Sequence, residues 1–394
     1  MNKYLVGPIA VVILAFPFPA AAQRLAATRP GVPDTSPFRP LAWAGPNSYR
    51  TASGMPGPNY WQQKADYTIK ASLEPSTQTI QGSETITYTN NSPDTLRFVW
   101  LQLDMNLGSR KSRNSPLDFF FFPEDSTFHV GATIERIQAV HAGAGGKSTS
   151  ATLSWWVNST MMRVDLDRPL APKGVLSLDI GWHYQVPTQG GRTGRQQFPE
   201  GWLYQIAQWY PRMAVYDDIS GWDTLPYLGQ EFYLEYGTFD YAVTLPADML
   251  VAGSGELLNP AEVLTPLERE RLVQARASDK TVMVRTADDV VATLPANGSK
   301  TWRFHMDRTR DVSFAASRAF VWDAARIDLP GGKTALAQSV YPAEDGGDAA
   351  WGRSTEYLKF AVEEFSRRWF VYPWPNAINV GGPVGGMEYP ALLF

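Results

Sequence analysis

The sequence predicts a mainly β protein, an antiparallel β-sandwich or saddle of sheets, followed by the first strand–helix–strand part of a smaller α+β domain. Three observations predict it. Apolar and polar residues alternate at period two through much of the chain from Tyr60 onward, the pattern of strands buried on one face. Turn-forming clusters interrupt these runs at roughly eight- to twelve-residue intervals, the spacing of sandwich strands. Helix signals are confined to two stretches, and the clearer one lies near the carboxyl end.

Composition bounds the rest. The 394 residues exceed one ordinary domain and imply two or three. With 44% hydrophobic and 19% charged residues, and 14 Trp, 17 Tyr and 19 Phe, the chain is globular and rich in aromatics rather than disordered. A net charge of −4 without a basic run excludes the electrostatic footprint of a nucleic-acid binder. Cysteine is absent, so neither a disulfide nor a lipid-modified cysteine is available, and the fold must stand on its core.

At the amino end Lys3 precedes an apolar stretch from Tyr4 to Phe18, and Ala20-Ala21-Ala22 precedes Gln23. A positive charge, a short apolar region and small residues at a cleavage site make residues 1–22 a secretory signal peptide, too short and proline-interrupted to span a bilayer. The expected destination is the periplasm or the exterior, with no stable membrane insertion after cleavage. Residues 23–59, rich in Pro and Gly, read as a strap or linker in which Phe38 and Trp43 can dock on the body.

Strand signals then follow in order. Tyr67, Ile69, Ala71 and Leu73 alternate inward, Glu74-Pro75-Ser76-Thr77 turns the chain, and Ile80, Glu84, Ile86 and Tyr88 return. After Asn90 to Asp94, Leu96, Phe98 and Trp100 form a third strand. Met162 to Leu166 and Leu176 to Tyr184 repeat the hairpin device. From Thr188 to Asp223 the chain reads as loop, including the glycine–arginine run from Gly190 to Arg195. That run lacks the helix start a phosphate cradle needs. Phe239 to Leu245 and Val251 to Gly253 return to sheet. Thr265-Pro266-Leu267-Glu268 is a capping box opening a helix to about Ala277. Thr281 to Arg285 and Thr301 to Met306 are further strands.

The boundary of the second domain is placed around Trp322 to Pro330, giving a saddle domain over 60–322 and a partial second domain over 323–394. Ala335 to Tyr341 is its first strand. Leu358, Val362, Phe365 and Trp369 then mark one apolar helix face, with Asp348 as N-cap and Pro373 as the stop. The strand Ala377 to Val380 leads into N-V-G-G-P-V-G-G-M-E-Y-P, residues 379–390.

The chemistry-bearing residues are few. His129, His141, His183 and His305 lie 12, 42 and 122 residues apart, so none share the i, i+4 spacing of a helical zinc pair, and each reads as a surface or strand histidine. No G-x-S-x-G elbow occurs. Asp217-Asp218 reads as a turn before Gly221, since neighbours on a strand face opposite ways. Catalytic and metal-ligating residues are therefore expected to be absent from these 394 residues. Glu388 is different: it follows Gly385-Gly386-Met387 on an expected sheet edge. Such an edge can take an extended peptide as an added strand, and a carboxylate at its end suits an α-ammonium, whose pKa is about 8. Gly381 to Gly386 equally fits a flexible loop that closes a domain.

The run G-G-M-E-Y-P, with the Y-P-W-P exit before it, resembles the substrate-binding strand of zinc aminopeptidases of the aminopeptidase N family, usually written G-x-M-E-N. The resemblance covers the chain from about Tyr60 and implies a saddle domain leading into a thermolysin-like catalytic domain. It implies substrate binding by Gly385, Gly386, Met387 and Glu388. The Q-I-A-Q-W-Y-P-R run resembles the family segment whose glutamine or glutamate joins in holding the substrate amine. That implies Gln208, with Gln205 left open because the spacing to Arg212 is one residue short. Tyr389 stands where the family has asparagine, which puts strict single-residue trimming in question. The zinc helix H-E-x-x-H follows this strand in the family and is not within these residues. The expectation is thus an exported zinc metallopeptidase acting on peptide N-termini, seen as a fragment that binds the amine without the zinc ligands. The competing reading is a non-catalytic sandwich that binds carbohydrate or protein through Trp155, Trp156 or Trp202.

Overall fold

The computed structural model describes residues 45–109, 112–113, 131–188, 192–228, 233–293, 297–347 and 350–394. The signal-peptide segment, the first part of the strap with Phe38 and Trp43, His129, Gly190 and Asp348 lie outside the described residues. From the amino end, β1 (Lys64–Glu74) and β2 (Thr79–Thr89) form the expected hairpin, followed by β3 (Leu96–Gln102). Next come β4 (Thr133–Ala142), β5 (Ser148–Thr152), β6 (Ser154–Asn158), β7 (Met161–Leu170) and β8 (Val175–Gln185). The middle holds β9 (Thr193–Phe198), β10 (Gly201–Ile206), β11 (Arg212–Met213), β12 (Tyr216–Asp217) and β13 (Gly221–Trp222). Then β14 (Gly237–Pro246), β15 (Leu250–Gly253) and β16 (Glu256–Leu257) precede helices α1 (Pro260–Val263) and α2 (Pro266–Ala277). After β17 (Val282–Arg285) and α3 (Ala287–Ala292) come β18 (Ser299–Thr309), β19 (Phe314–Ser317), β20 (Phe320–Leu329) and β21 (Lys333–Pro342). Helix α4 (Ser354–Arg368) and strands β22 (Asn376–Val380), β23 (Glu388–Tyr389) and β24 (Leu392–Leu393) close the chain.

The mainly β reading holds. An eight-stranded sheet runs β16-β18-β14-β1-β2-β8-β4-β5, all antiparallel except the parallel β1–β14 pair. Two four-stranded sheets, β15-β19-β10-β9 and β11-β3-β7-β6, accompany it. Inward residues of these sheets share one core, in which Tyr67 stacks on Phe239 at 4.5 Å and Trp209 meets Trp182, Tyr210 and Phe314 edge-on. Such pairs add to the area term that dominates a core of this kind. The strap is docked from Gly45: Arg50 grips Asp218 through Nε and Nη2 at 2.8–3.0 Å and lies over the Tyr60 ring.

Three expectations are corrected. The stretch read as loop from Thr188 to Asp223 carries β9 through β13. Leu203 to Ile206 of β10 are buried on both faces, so the strand shows no alternation to read. The stretch Trp322 to Pro330, read as a domain boundary, is largely β20. This strand pairs with β17 on one side and β21 on the other, within a six-stranded sheet ordered β17-β20-β21-β22-β24-β23. Helix α4 stops at Arg368, short of Pro373, and buries Thr355, Leu358 and Ser366, whereas Phe365 and Trp369 stay exposed. A helix covering a sheet through one narrow stripe leaves part of a broad apolar face outside it. Helix α2 begins as expected, with Thr265 Oγ1 accepting from Glu268 N–H and Glu268 Oε2 accepting from Thr265 N–H.

Candidate functional site

The closing segment is built as a sheet edge. Among the described residues β23 is the outermost strand of the six-stranded sheet and pairs only with β24, Glu388 opposite Leu393 and Tyr389 opposite Leu392. Met387 N–H donates to Phe394 O at 3.3 Å, and Phe394 N–H donates to Met387 O at 2.9 Å. Residues that exchange both bonds alternate with residues that exchange none. The N–H and C=O of Glu388 therefore point away from β24, toward the open edge. Side chains alternate as well. Met387 and Tyr389 are buried against Ala207 and Phe394, while Glu388 is exposed on the other face. Among the described residues its carboxylate has neither a hydrogen bond nor an ion pair.

The four glycines before it divide into two kinds. A Cβ at Gly381 would lie 2.9 Å from the Trp351 ring, and one at Gly382 would lie 2.6 Å from Gln205 Oε1. A Cβ at Gly385 or Gly386 would meet nothing within 4 Å. Gly386 also has φ +70°, a conformation that a side chain disfavours. The first pair is thus packed and the second faces open space, as close backbone approach by a ligand requires.

The two candidate glutamines differ. Gln205, fully buried on β10, donates from Nε2 to Val380 O at 3.4 Å and accepts at Oε1 from Val384 N–H at 2.6 Å. Gln208 is 3% exposed, holds φ +50°, and its Nε2 has no partner among the described residues. It lines a cavity of about 30 Å³ with Asp104, Arg192, Thr193 and Ala207, room for one or two waters. The structure brings Gln208 beside the segment through its neighbour Ala207, which packs on Met387 and Tyr389. Glu388 faces the other way, and among the described residues no hydrogen bond joins it to either glutamine.

Below Gln208 lies a buried charge group that sequence reasoning missed. Arg212 is ion-paired with Asp104 and, at 2.7 Å, with Asp311, whose other oxygen accepts from Tyr210 Oη–H at 2.6 Å. The acids stand about a hundred residues either side of the arginine, so nothing in local spacing links them. Only Arg212 carried a signal, as the end of the Y-P-R run. Asp104 and Arg212 also border a cleft of about 340 Å³ with Asp217, Asp223, Tyr227 and Tyr233. Nearby, burial pushes the Glu235 carboxyl up to about 7, and burial raises the Tyr389 hydroxyl above its usual range.

No protein-family model and no curated protein matches the chain. Solved structures of M1 zinc metallopeptidases are similar to it. One, a two-domain M1 zinc metallopeptidase variant bound to L-tryptophan, has a TM-score of 0.48 and 16% identity, covering 86% of this chain and 61% of that one. A second, from Deinococcus radiodurans and bound to the peptide Tyr-Ser-Ala, has a TM-score of 0.47 and 16% identity, covering 84% and 60%. A third, also from Deinococcus radiodurans, has a TM-score of 0.46 and 16% identity, covering 84% and 58%. This chain spans about three fifths of the length of those structures. At this identity and TM-score the likeness assigns neither activity nor residue roles.

The remaining sequence candidates resolve as follows. Asp217 and Asp218 sit at a turn: Asp217 Oδ1 accepts from Ile219 and Ser220 N–H, and Asp218 holds Arg50. His141, His183 and His305 lie on strands, each against a carboxylate at 2.7–2.8 Å. Among the described residues no three His, Asp or Glu side chains are grouped to hold a metal ion, so the zinc implied by the family resemblance finds no ligand set in them. Trp155 and Trp156 face opposite sides of β6, and Trp202 belongs to a different sheet, under Arg195 at 5.5 Å. The three indoles share no common platform.

Proposed function

We propose that this chain binds the amino terminus of a peptide, as part of an exported zinc metallopeptidase of aminopeptidase type. The observation that supports it is the carboxylate of Glu388, unpartnered among the described residues, on an outermost strand two residues after a pair of glycines that face open space. A peptide laid beside β23 would exchange hydrogen bonds with the N–H and C=O of Glu388 as an added strand. Its α-ammonium, largely charged at neutral pH, donates to the Glu388 carboxylate, a charge-assisted bond stronger than a neutral one. Gly385 and Gly386 let the backbone approach, and Met387 anchors the strand through its contact with Ala207. Neither glutamine joins Glu388 in this reading: the amide of Gln205 is engaged at both ends, and Gln208 is buried on the side of β23 away from the Glu388 carboxylate. Zinc, when bound in such an enzyme, polarises the scissile carbonyl and activates water; the residues described here bind and orient.

The test is titration of the 394-residue chain with tri-alanine and with N-acetyl-tri-alanine. Wild type should prefer the free amine, and Glu388→Gln should lower affinity for tri-alanine about tenfold, the loss of one charge-assisted bond, without changing affinity for the acetylated peptide. Equal affinity of wild type for both peptides refutes the reading.

A further inference from the structure

We infer that Gln205 is a positioning residue, a clamp reaching from the sandwich that fixes the loop 380–384 and thereby places Glu388. This deepens the amine-binding reading and rests on it. Residues 203 and 205 share one face of β10, and both meet the loop: a Cβ at Gly382 would lie 2.9 Å from Leu203 Cδ2 and 2.6 Å from Gln205 Oε1. The platform is rigid, because β10 is paired on both sides, Gln205 with Ala315 of β19 and with Gly194 of β9. Its amide closes a bridge across the loop, Nε2–H to Val380 O and Oε1 from Val384 N–H. From the other side Gly381 rests against Trp351 and Tyr341, and its N–H donates to Val340 O at 2.8 Å. The loop is held between two sheets at residues 380–384 and released at Gly385, so Gly385, Gly386 and Glu388 emerge from a fixed point.

Only an amide, or a group that both donates and accepts, fits this bridge. A buried side chain that leaves Val384 N–H and Val380 O without partners unlocks the loop. The clamp is therefore tested with Gln205→Met, which keeps the volume and loses both bonds, and Gln205→Glu, whose buried carboxyl donates and accepts only while protonated. Two readouts are taken on the full chain: amide hydrogen exchange over 382–387, and affinity for tri-alanine. In Gln205→Met, exchange over 382–387 should accelerate at least tenfold with β14 unchanged, and tri-alanine affinity should fall about tenfold. Gln205→Glu should behave like Gln205→Met at pH 8 and recover to within about threefold of wild type at pH 5.5, a pH signature that a general loss of structure does not give. Unchanged exchange in Gln205→Met overturns the clamp. Accelerated exchange with unchanged tri-alanine affinity overturns its role in placing Glu388. Should wild type bind tri-alanine and its acetylated form alike, the amine reading falls and the exchange arm decides the clamp by itself. Should Gln205→Met fail to fold, the pH recovery of Gln205→Glu decides, and the same exchange ratio to wild type at both pH values overturns the proposal.

Discussion

Glu84 should make the stability of this protein fall as pH rises. It sits on β2 among the inward residues Ile80, Gly82, Ile86 and Tyr88, opposite Ile69 of β1 and Ile180 of β8, and is 2% exposed. Neither carboxyl oxygen has a hydrogen-bond partner among the described residues. Loss of solvation raises its pKa well above the usual carboxylate range, and the nearby charge of Asp179 adds to the rise. Tyr67 and Tyr210 of the same core offer no positive charge to offset it. The folded protein therefore keeps a proton that the unfolded chain releases above its ordinary glutamate pKa. The sign follows: this stabilisation is fully present below the unfolded pKa and is lost as pH rises toward the folded one. Over that window each pH unit removes about 1.4 kcal/mol. Urea midpoints of wild type and Glu84→Gln from pH 5 to pH 8 measure it. Glutamine cannot ionise, so wild type should lose up to about 1.4 kcal/mol per pH unit relative to the variant. Glu235 and Asp323, also raised by burial, contribute with the same sign to both proteins and cancel in the comparison. Identical pH slopes in the two proteins would show that the Glu84 carboxyl is solvated or partnered, and the argument would fail.

Two further outcomes follow from the other features. Arg212→Ala leaves Asp104 and Asp311 buried without their cation and should cost about 3–5 kcal/mol, seen as a lower urea midpoint; a loss under 1 kcal/mol would refute the charge group as a unit. If residues 1–22 are a signal peptide, as their pattern implies, protein recovered from the periplasm of a bacterial host should begin at Gln23 by mass spectrometry, and a protein retaining Met1 there refutes export by cleavage.

The parts of the fold legible in the sequence are those that bury one face. β1, β2, β8 and β14 alternate because water lies on one side of them, and even Glu84 was placed on the inward set by period two. β10 was illegible for the opposite reason, since four of its six residues are buried and the pattern is flat. β20 is hard to read because Asp323, Arg326 and Asp328 interrupt its apolar residues from Phe320 to Leu329, Asp323 buried and the other two paired with each other at the surface. At the site, the glycine pairs and Glu388 could be read because their residue types are unusual in sheet. The choice between Gln205 and Gln208 could not, because it depends on which backbone groups of residues 380–384 come within reach. That contact joins positions about 175 residues apart, and no local pattern records it.

The length of β23 bears on what such an edge can hold. A long, flat, exposed strand is a template for aggregation, yet a peptide-binding edge must leave backbone groups unpaired. β23 has two residues, ends at Pro390, which lacks an N–H, and is followed by Ala391 at φ +61°, where the chain reverses into β24. A strand added beside it therefore finds one outward N–H and C=O at Glu388 before the edge closes. Affinity from backbone pairing alone is then small, about 0.5–1.5 kcal/mol per hydrogen bond, and recognition has to come from the end of the peptide rather than its length. The free carboxylate stands on that same residue. In the proposed reading, an edge this short, with the Glu388 carboxylate beside its outward N–H and C=O, would discriminate by the peptide terminus and resist pairing with long strands.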